Sequence, residues 1–392
     1  MKKAIIGILV LSLLISLYGI YLFSINDKYI ELLPDFYRNI NTVNFVSEKG
    51  YIPREIEFIP GSSEKGIMDH QPLYYYFTSL LLKLTKDLNK VIVLQLFSTL
   101  MIFLTNIVFY LLLKKLFREE KIQIYSLALF SFFPLHLYIS MFIGPDPLFY
   151  LLFISFLYFF VVTKEKKEMK NALILGVFLG LVLLTRVYGV ILATTLFLYI
   201  LYLHFKKNRE RNLFLISLIF GLFIGAYGIL RNYFIFGSLL ASIPAPIPSD
   251  INTFIRLFNS FWSGVYGGLE NIKILIGICV IILLILFFVN FIKNFKILNR
   301  NDLFLLLGVI CFLTLMQVFN LQCNFLEFIQ NFRCEGDAGQ NRYLIPFEAF
   351  FVIGMGFGLS KLGNRKIFKY LIPVYVFVSC SLFAVDFIYA LK

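Results

Sequence analysis

The chain has 392 residues, of which 59% are hydrophobic and only 15% charged, with a mean hydropathy of +0.83. So few charges cannot cover the surface of a soluble domain of that length, which excludes a water-soluble globular protein and makes the class an integral membrane protein. The formal net charge of +13 does not point to nucleic acid, because Lys and Arg gather at the ends of apolar runs, where they act as orientation signals.

In chain order, Met1-Lys2-Lys3 leads into a first apolar run at residues 4–23, long enough to span. The Ser24-Ile25-Asn26-Asp27 that follows offers no small-x-small cleavage site, so an uncleaved transmembrane helix is expected rather than a signal peptide. Residues 26–71 form one long polar stretch carrying Asp27, Glu31, Asp35, Glu48, Glu55, Glu57, Glu64 and Asp69. Carboxylates concentrated in one early loop beside an apolar helix suit chemistry at the bilayer surface. Residues 72–84, rich in Tyr and Leu but too short to cross, predict a juxtamembrane helix in the interface. Further spans are expected at 91–113, 122–140, 147–163, 171–185, 187–205, 213–229, 272–292, 302–319, 343–360 and 367–387, about eleven in all.

The expected fold class is therefore an all-α polytopic membrane protein, with residues 1–392 as a single transmembrane domain and no repeat or separate soluble domain. From an inner N-terminus, the inner connectors hold Lys114, Lys115, Arg118 and Lys121; Lys164, Lys166, Lys167 and Lys170; Lys206, Lys207, Arg209 and Arg211; Lys293, Lys296 and Arg300; and Lys361, Arg365, Lys366 and Lys369. The positive-inside rule then places the N-terminus in the cytoplasm, the C-terminus outside, and the loops 24–90, 230–271 and 320–342 outside. Pro244, Pro246, Pro248, Gly264, Gly267 and Gly268 mark the second of these as loop and turn.

Cys279, Cys311 and Cys380 fall inside spans and read as small apolar core residues, whereas Cys323 and Cys334 share the last outer loop and can close a disulfide in an oxidising compartment. No metal site is expected: there is no Cys-x-x-Cys pair, and His70, His136 and His204 are far apart in sequence.

Polar groups recur at outer helix ends. Asp35 follows Pro34; Asp146 sits in Gly144-Pro145-Asp146-Pro147; Arg186 follows Leu183-Leu184-Thr185; Arg231-Asn232 opens the second outer loop; Arg342-Tyr343 closes the third. An ionisable residue at the membrane boundary is a functional candidate by default. Each also has a structural reading. Asp35 is one loop acid among many, Asp146 can cap the helix starting at Pro147, the three arginines can snorkel, and His70 can serve as a structural hydrogen-bonder.

The order of these residues resembles a family. A first-loop acid, His70-Gln71-Pro72-Leu73-Tyr74-Tyr75-Tyr76, Pro145-Asp146, Leu184-Thr185-Arg186, Arg231-Asn232-Tyr233 with Phe236-Gly237, and Arg342-Tyr343-Leu344-Ile345-Pro346 are similar in order and side to the GT-C superfamily of polyprenyl-phosphate-sugar-dependent glycosyltransferases. The nearest branch is that of the protein O-mannosyltransferases and lipid A aminoarabinose transferases. The resemblance runs over nearly the whole chain, through several short motifs, none specific alone. It implies inverting transfer of a sugar from a polyprenyl-phosphate donor to an acceptor hydroxyl on a glycan, lipid or protein, at the outer face. It implies Asp35 as base, and His70, Tyr74, Asp146, Arg186, Arg231, Arg342 and Tyr343 as substrate-binding residues. Phe36 stands where the family has a second acid, which argues against a paired-acid metal site; Gln71 replaces a Pro, and Arg186 stands where Lys is usual. No cofactor beyond the lipid-linked donor is implied. The chemistry is consistent: the acceptor must lose a proton, and cations must receive the departing phosphate, which suits the guanidinium fork. The competing reading is a transporter or flippase of a lipid-linked sugar, which would be expected to show internal repeats and broken midplane helices. A scaffold protein would give no reason for the outer arginines.

Overall fold

The structure is a computed structural model and describes residues 2–25, 36–57, 65–67, 71–85, 88–186, 189–236, 249–250, 302–303, 306–311, 313–314, 333–335 and 345–361. Its elements in order are α1 (Lys2–Ile25), α2 (Phe36–Lys49), β1 (Glu55–Glu57), β2 (Lys65–Ile67), α3 (Pro72–Leu84), α4 (Lys90–Leu116), α5 (Glu120–Ser131), α6 (Pro134–Ile139), α7 (Asp146–Lys166), α8 (Met169–Thr185), α9 (Gly189–Phe205), α10 (Arg211–Phe236), β3 (Ser249–Asp250), β4 (Arg333–Glu335) and α11 (Ile345–Lys361). The architecture is helical, as expected; the described strands form two short antiparallel ladders, pairing Glu55 with Ile67 and Ser249 with Glu335.

Among the described residues, four helices are long and apolar enough to cross a membrane: α1, α4, α7 and α10. The helices α8 and α9, and Pro346–Gly356 within α11, are apolar but shorter. The chain is a multi-pass membrane protein. The expected spans at 272–292 and 367–387 lie outside the described residues, as does most of 302–319.

Three expectations are corrected. Residues 122–140 are not one helix: α5 ends at Ser131 and α6 begins at Pro134, a residue type that lacks the N–H a continuing helix would bond. The stretch 26–71 is not all loop, because α2 lies within it, burying Phe36, Asn39, Thr42, Val43 and Val46 at helical spacing. Arg231 and Asn232 do not open a loop, since α10 continues to Phe236. The juxtamembrane helix expected at 72–84 forms as α3.

Two compact units interleave along the chain. One comprises residues 1–16, 109–139 and 244–392. In it α5 packs on α11, and Gly356 leaves no room for a Cβ, which would lie 2.6 Å from the Phe117 ring and 2.8 Å from Ser126 Oγ. His136 of α6 and Glu348 of α11 meet in its interior, Nδ1 to Oε1 at 3.4 Å.

The other unit comprises residues 17–108 and 140–243, and its most extensive packing joins α8 to α10. Small residues make that seam. A Cβ on Gly176 would lie 2.7 Å from the Ser217 carbonyl, and one on Gly180 would lie 2.5 Å from Ile224 Cβ. Reciprocally, a Cβ on Gly221 would meet Leu179 at 2.7 Å, and one on Gly225 would meet Leu183 at 2.6 Å. Each helix thus offers two glycines four residues apart, three of them filled by a branched side chain opposite and Gly176 lying against the Ser217 backbone, and the helices approach closely enough for Ser217 Oγ to donate to the Ala172 carbonyl at 2.8 Å. In lipid, where apolar surface alone does not drive helices together, such close van der Waals contact is what holds a pair.

Candidate active site

The site is built on a turn. Residues 140–145 are non-helical yet buried, so their carbonyls need partners from within the protein. Two come from α4: Thr99 Oγ1 donates to the Ser140 carbonyl at 2.9 Å and Ser98 Oγ to that of Phe142 at 2.7 Å. The third comes from α2, where Asn39 Nδ2 donates to the Ile143 carbonyl at 2.7 Å. Asn39 is held in turn by Tyr75 of α3, whose hydroxyl donates to Asn39 Oδ1 at 2.7 Å. At Gly144 a Cβ would lie 3.0 Å from Asn39 Nδ2 and would run into the Phe142 ring, so the turn tolerates no side chain there.

This pinned turn delivers Asp146, 1% exposed, to the first position of α7. Pro145, rather than Asp146, is the N-cap residue. Arg186 Nη1 donates to Asp146 Oδ1 instead. The capping alternative for Asp146 therefore gives way to an ion pair. The snorkelling alternative for Arg186 gives way with it, because the guanidinium points inward with its side chain only 10% exposed. Arg186 is the C-cap of α8, in extended conformation, with its N–H bonded to the Val182 carbonyl at 3.0 Å. Both charges also suit their helix ends, an acid at an N-terminus and a cation at a C-terminus.

Tyr74 is fully buried, edge-on to Tyr75 at 5.2 Å between ring centroids and tilted against Phe97 at 6.3 Å. Burial pushes its phenol well above the usual range; the Tyr75 phenol and the Asp146 carboxylate add to the rise, and the Gly144 backbone opposes it. The phenol keeps its proton.

A second group of polar residues lies along α10. Tyr76 of α3 shares a hydrogen bond with Tyr227, and its phenol is pushed up to about 12, by burial first and then by Tyr227, while the positive charge of Arg231 acts the other way. Arg231 follows Tyr227 by one helical turn and donates from Nη1 to Asn232 Oδ1 at 3.1 Å; Asn232 is fully buried.

Of the residues singled out in the sequence, Tyr74, Asp146 and Arg186 thus come together, and Arg231 stands beside Tyr76. Asp35, His70, Arg342 and Tyr343 lie outside the described residues, and so does Cys323, the expected partner of Cys334. Sequence reading passed over Asn39, Ser98 and Thr99, which hold the turn; the signal for Asn39 was a polar residue on the buried face of α2. It also passed over Glu348, an acid inside an apolar run. Among the described residues no three His, Cys, Asp or Glu side chains group closely enough to hold a metal ion.

Residues 69–227 match the family model described as dolichyl-phosphate-mannose-protein mannosyltransferase. No curated protein matches the sequence. Among solved structures, the chain is similar to the oligosaccharyltransferase of Archaeoglobus fulgidus in its complex with Zn and sulfate, at 14% identity and TM-score 0.55, over 98% of this chain and 52% of that one. It is also similar to ArnT from Cupriavidus metallidurans bound to undecaprenyl phosphate, at 14% identity and TM-score 0.51, over 90% of this chain and 60% of that one. A further match is the archaeal oligosaccharyltransferase AglB from Archaeoglobus fulgidus in complex with an inhibitory peptide and a dolichol-phosphate, at 15% identity and TM-score 0.51, over 99% and 55%. The chain spans about half the length of the solved structures it matches. The GT-C resemblance read in the sequence is therefore borne out, by a family model over residues 69–227 and by fold over nearly the whole chain.

Proposed function

We propose that the chain is a membrane glycosyltransferase that moves a sugar from a polyprenyl-phosphate donor to an acceptor hydroxyl, with inversion, at the outer face of the membrane. The observation that carries this reading is that residues 69–227, the segment matched by the mannosyltransferase family model, hold Tyr74, Asp146 and Arg186 in one cluster. The donors named with the similar structures, undecaprenyl phosphate and a dolichol-phosphate, support a lipid-linked substrate.

In this mechanism the acceptor oxygen attacks the anomeric carbon while the carbon–oxygen bond to phosphate breaks on the opposite side. The acceptor proton passes to the Asp35 carboxylate, and polyprenyl phosphate departs with the bonding pair. Arg231 and Arg342 receive the phosphate charge through guanidinium forks. Arg186 is charge-balanced by Asp146, which gives this pair the role of holding the ends of α7 and α8 together beside the sugar. Tyr74, protonated, backs the Asp146 carboxylate, and substrate binding is the role that the family resemblance gives His70 and Tyr343. The acceptor is a hydroxyl of a glycan, lipid or protein. The N-terminus lies in the cytoplasm and the C-terminus outside.

The test is transfer itself. Purified protein is given polyprenyl-phosphate monosaccharides with glycan, lipid and peptide acceptors, and sugar transfer is measured. Arg231→Ala should weaken donor binding by at least about tenfold, the loss of a charge-assisted hydrogen bond, with expression retained. Normal donor affinity in that variant removes the phosphate role, and absence of transfer from every donor removes the transferase reading.

A further inference from the structure

Gln71 is 2% exposed, and its side-chain oxygen has no hydrogen-bond partner among the described residues. It occupies the N-cap position of α3 but makes no cap bond with its side chain. The residue types that normally cap do so because a short side chain reaches back to the free N–H groups; Gln does not serve here, and Pro72 follows at the first helical position. A buried amide oxygen left unmet forfeits its solvation without compensation, and such groups call for an explanation.

Its surroundings give one. Gln71 Oε1 fills the space that a Cβ would take at Gly228 of α10, and Leu184 Cδ2 lies 3.5 Å from the same point. Three elements therefore meet at this amide: the start of α3, the last turn of α8 two residues before Arg186, and α10 one turn before Arg231. A glycine at position 228 is required for the amide to sit there. Arg231 lies about 4.5 Å further along the α10 axis, from the rise per residue.

We infer that Gln71 is a specificity-determining residue that hydrogen-bonds a hydroxyl of the sugar being transferred. This rests on the transferase reading above. A sugar is bonded directly to the phosphate that Arg231 is proposed to hold, so its ring falls within one helical turn of Gly228 and of the Gln71 amide. A hydroxyl both donates and accepts, so it satisfies the amide in either orientation of its oxygen and nitrogen. A site built around an unmet polar group discriminates against an analogue lacking the matching hydroxyl, because the group then stays unpaired.

The experiment measures kcat/KM for polyprenyl-phosphate mannose, glucose and galactose, and then for the single-deoxy forms of whichever is transferred. Wild type should disfavour one deoxy donor by at least about tenfold. Gln71→Met should bring that ratio to within about twofold, and Gln71→Glu, which keeps an acceptor, should retain most of it. Should Gln71→Met fail to fold, Gly228→Ala, which displaces the amide, is expected to collapse the same ratio. A wild type indifferent to every deoxy position overturns the inference without any variant. So does an unchanged ratio in Gln71→Met or Gly228→Ala while transfer persists. If wild type transfers from no donor, the transferase reading falls and takes this one with it.

Discussion

Asn39 donates across 2.7 Å to the carbonyl of Ile143, three positions before Asp146, and accepts from the Tyr75 hydroxyl at the same distance. One amide thus joins α2, α3 and the turn that aims the buried acid. Asn39→Ala leaves two buried partners unmet and is expected to cost on the order of 2–3 kcal/mol, whereas Tyr75→Phe removes one bond and should cost about 1 kcal/mol. Thermal unfolding in detergent checks the order; equal loss from both variants would refute the bridging role.

The pair Asp146–Arg186 separates stability from activity. Removing one partner strands a buried charge, at a cost of about 3–5 kcal/mol, while replacing both by apolar residues of similar volume is close to neutral. Asp146→Leu and Arg186→Met are therefore expected to unfold early as single variants. The double variant should recover stability and still transfer no sugar. A double variant as unstable as either single would mean that the two residues do not act as a pair.

Asp35 is expected to be the most sensitive carboxylate of the chain. Asp35→Asn keeps size and removes the base, and a positioned carboxylate contributes about 10²–10⁴-fold to such a proton transfer. Turnover should fall by that order with expression and donor binding retained. The amides of Asp27, Glu31 and Asp69 serve as controls. Near-normal turnover in Asp35→Asn beside a dead Asp69 or Asp146 amide would reassign the base.

The glycine seam is tested by one methyl group. Gly221→Ala places a Cβ 2.7 Å from Leu179, and overpacking of this kind costs about 1–3 kcal/mol. Gly7→Ala in α1 meets nothing within 4 Å and should be neutral or mildly stabilising. The difference in thermal midpoint between the two variants reads the seam directly.

Orientation follows from the basic connectors. Cysteines placed in 164–170 should resist membrane-impermeant reagents in intact cells, and those placed in 24–90 should label. Strong external labelling at 164–170 would invert the topology.

The helical architecture was legible because long apolar runs punctuated by Lys and Arg carry their own signal, and α3 was legible because thirteen residues are too few to span. The break at Pro134 was readable as a proline inside an apolar run but was outweighed by the hydropathy around it. The helix α2 was hidden because its buried face includes Asn39 and Thr42, polar residues that a hydrophobic pattern does not count. For the site, the sequence offered Asp146 and Arg186 separately, forty positions apart; that they neutralise each other is a tertiary fact which no local spacing encodes. The glycines of the seam were readable as two four-residue pairs, but glycines four apart acquire meaning only when the partner helix is known.

That seam bears on how the protein meets membranes of unequal thickness. One side of α10 carries Ile219, Phe223, Leu230 and Phe234, each roughly half to four-fifths exposed. A change in hydrocarbon depth is met by tilting rather than by stretching. With branched side chains locked into glycine notches from both directions, α8 and α10 cannot slide along each other by a fraction of a turn, so they tilt as one body. The separation between Arg186 at the end of one helix and Arg231 near the end of the other is then the same in a thin bilayer as in a thick one.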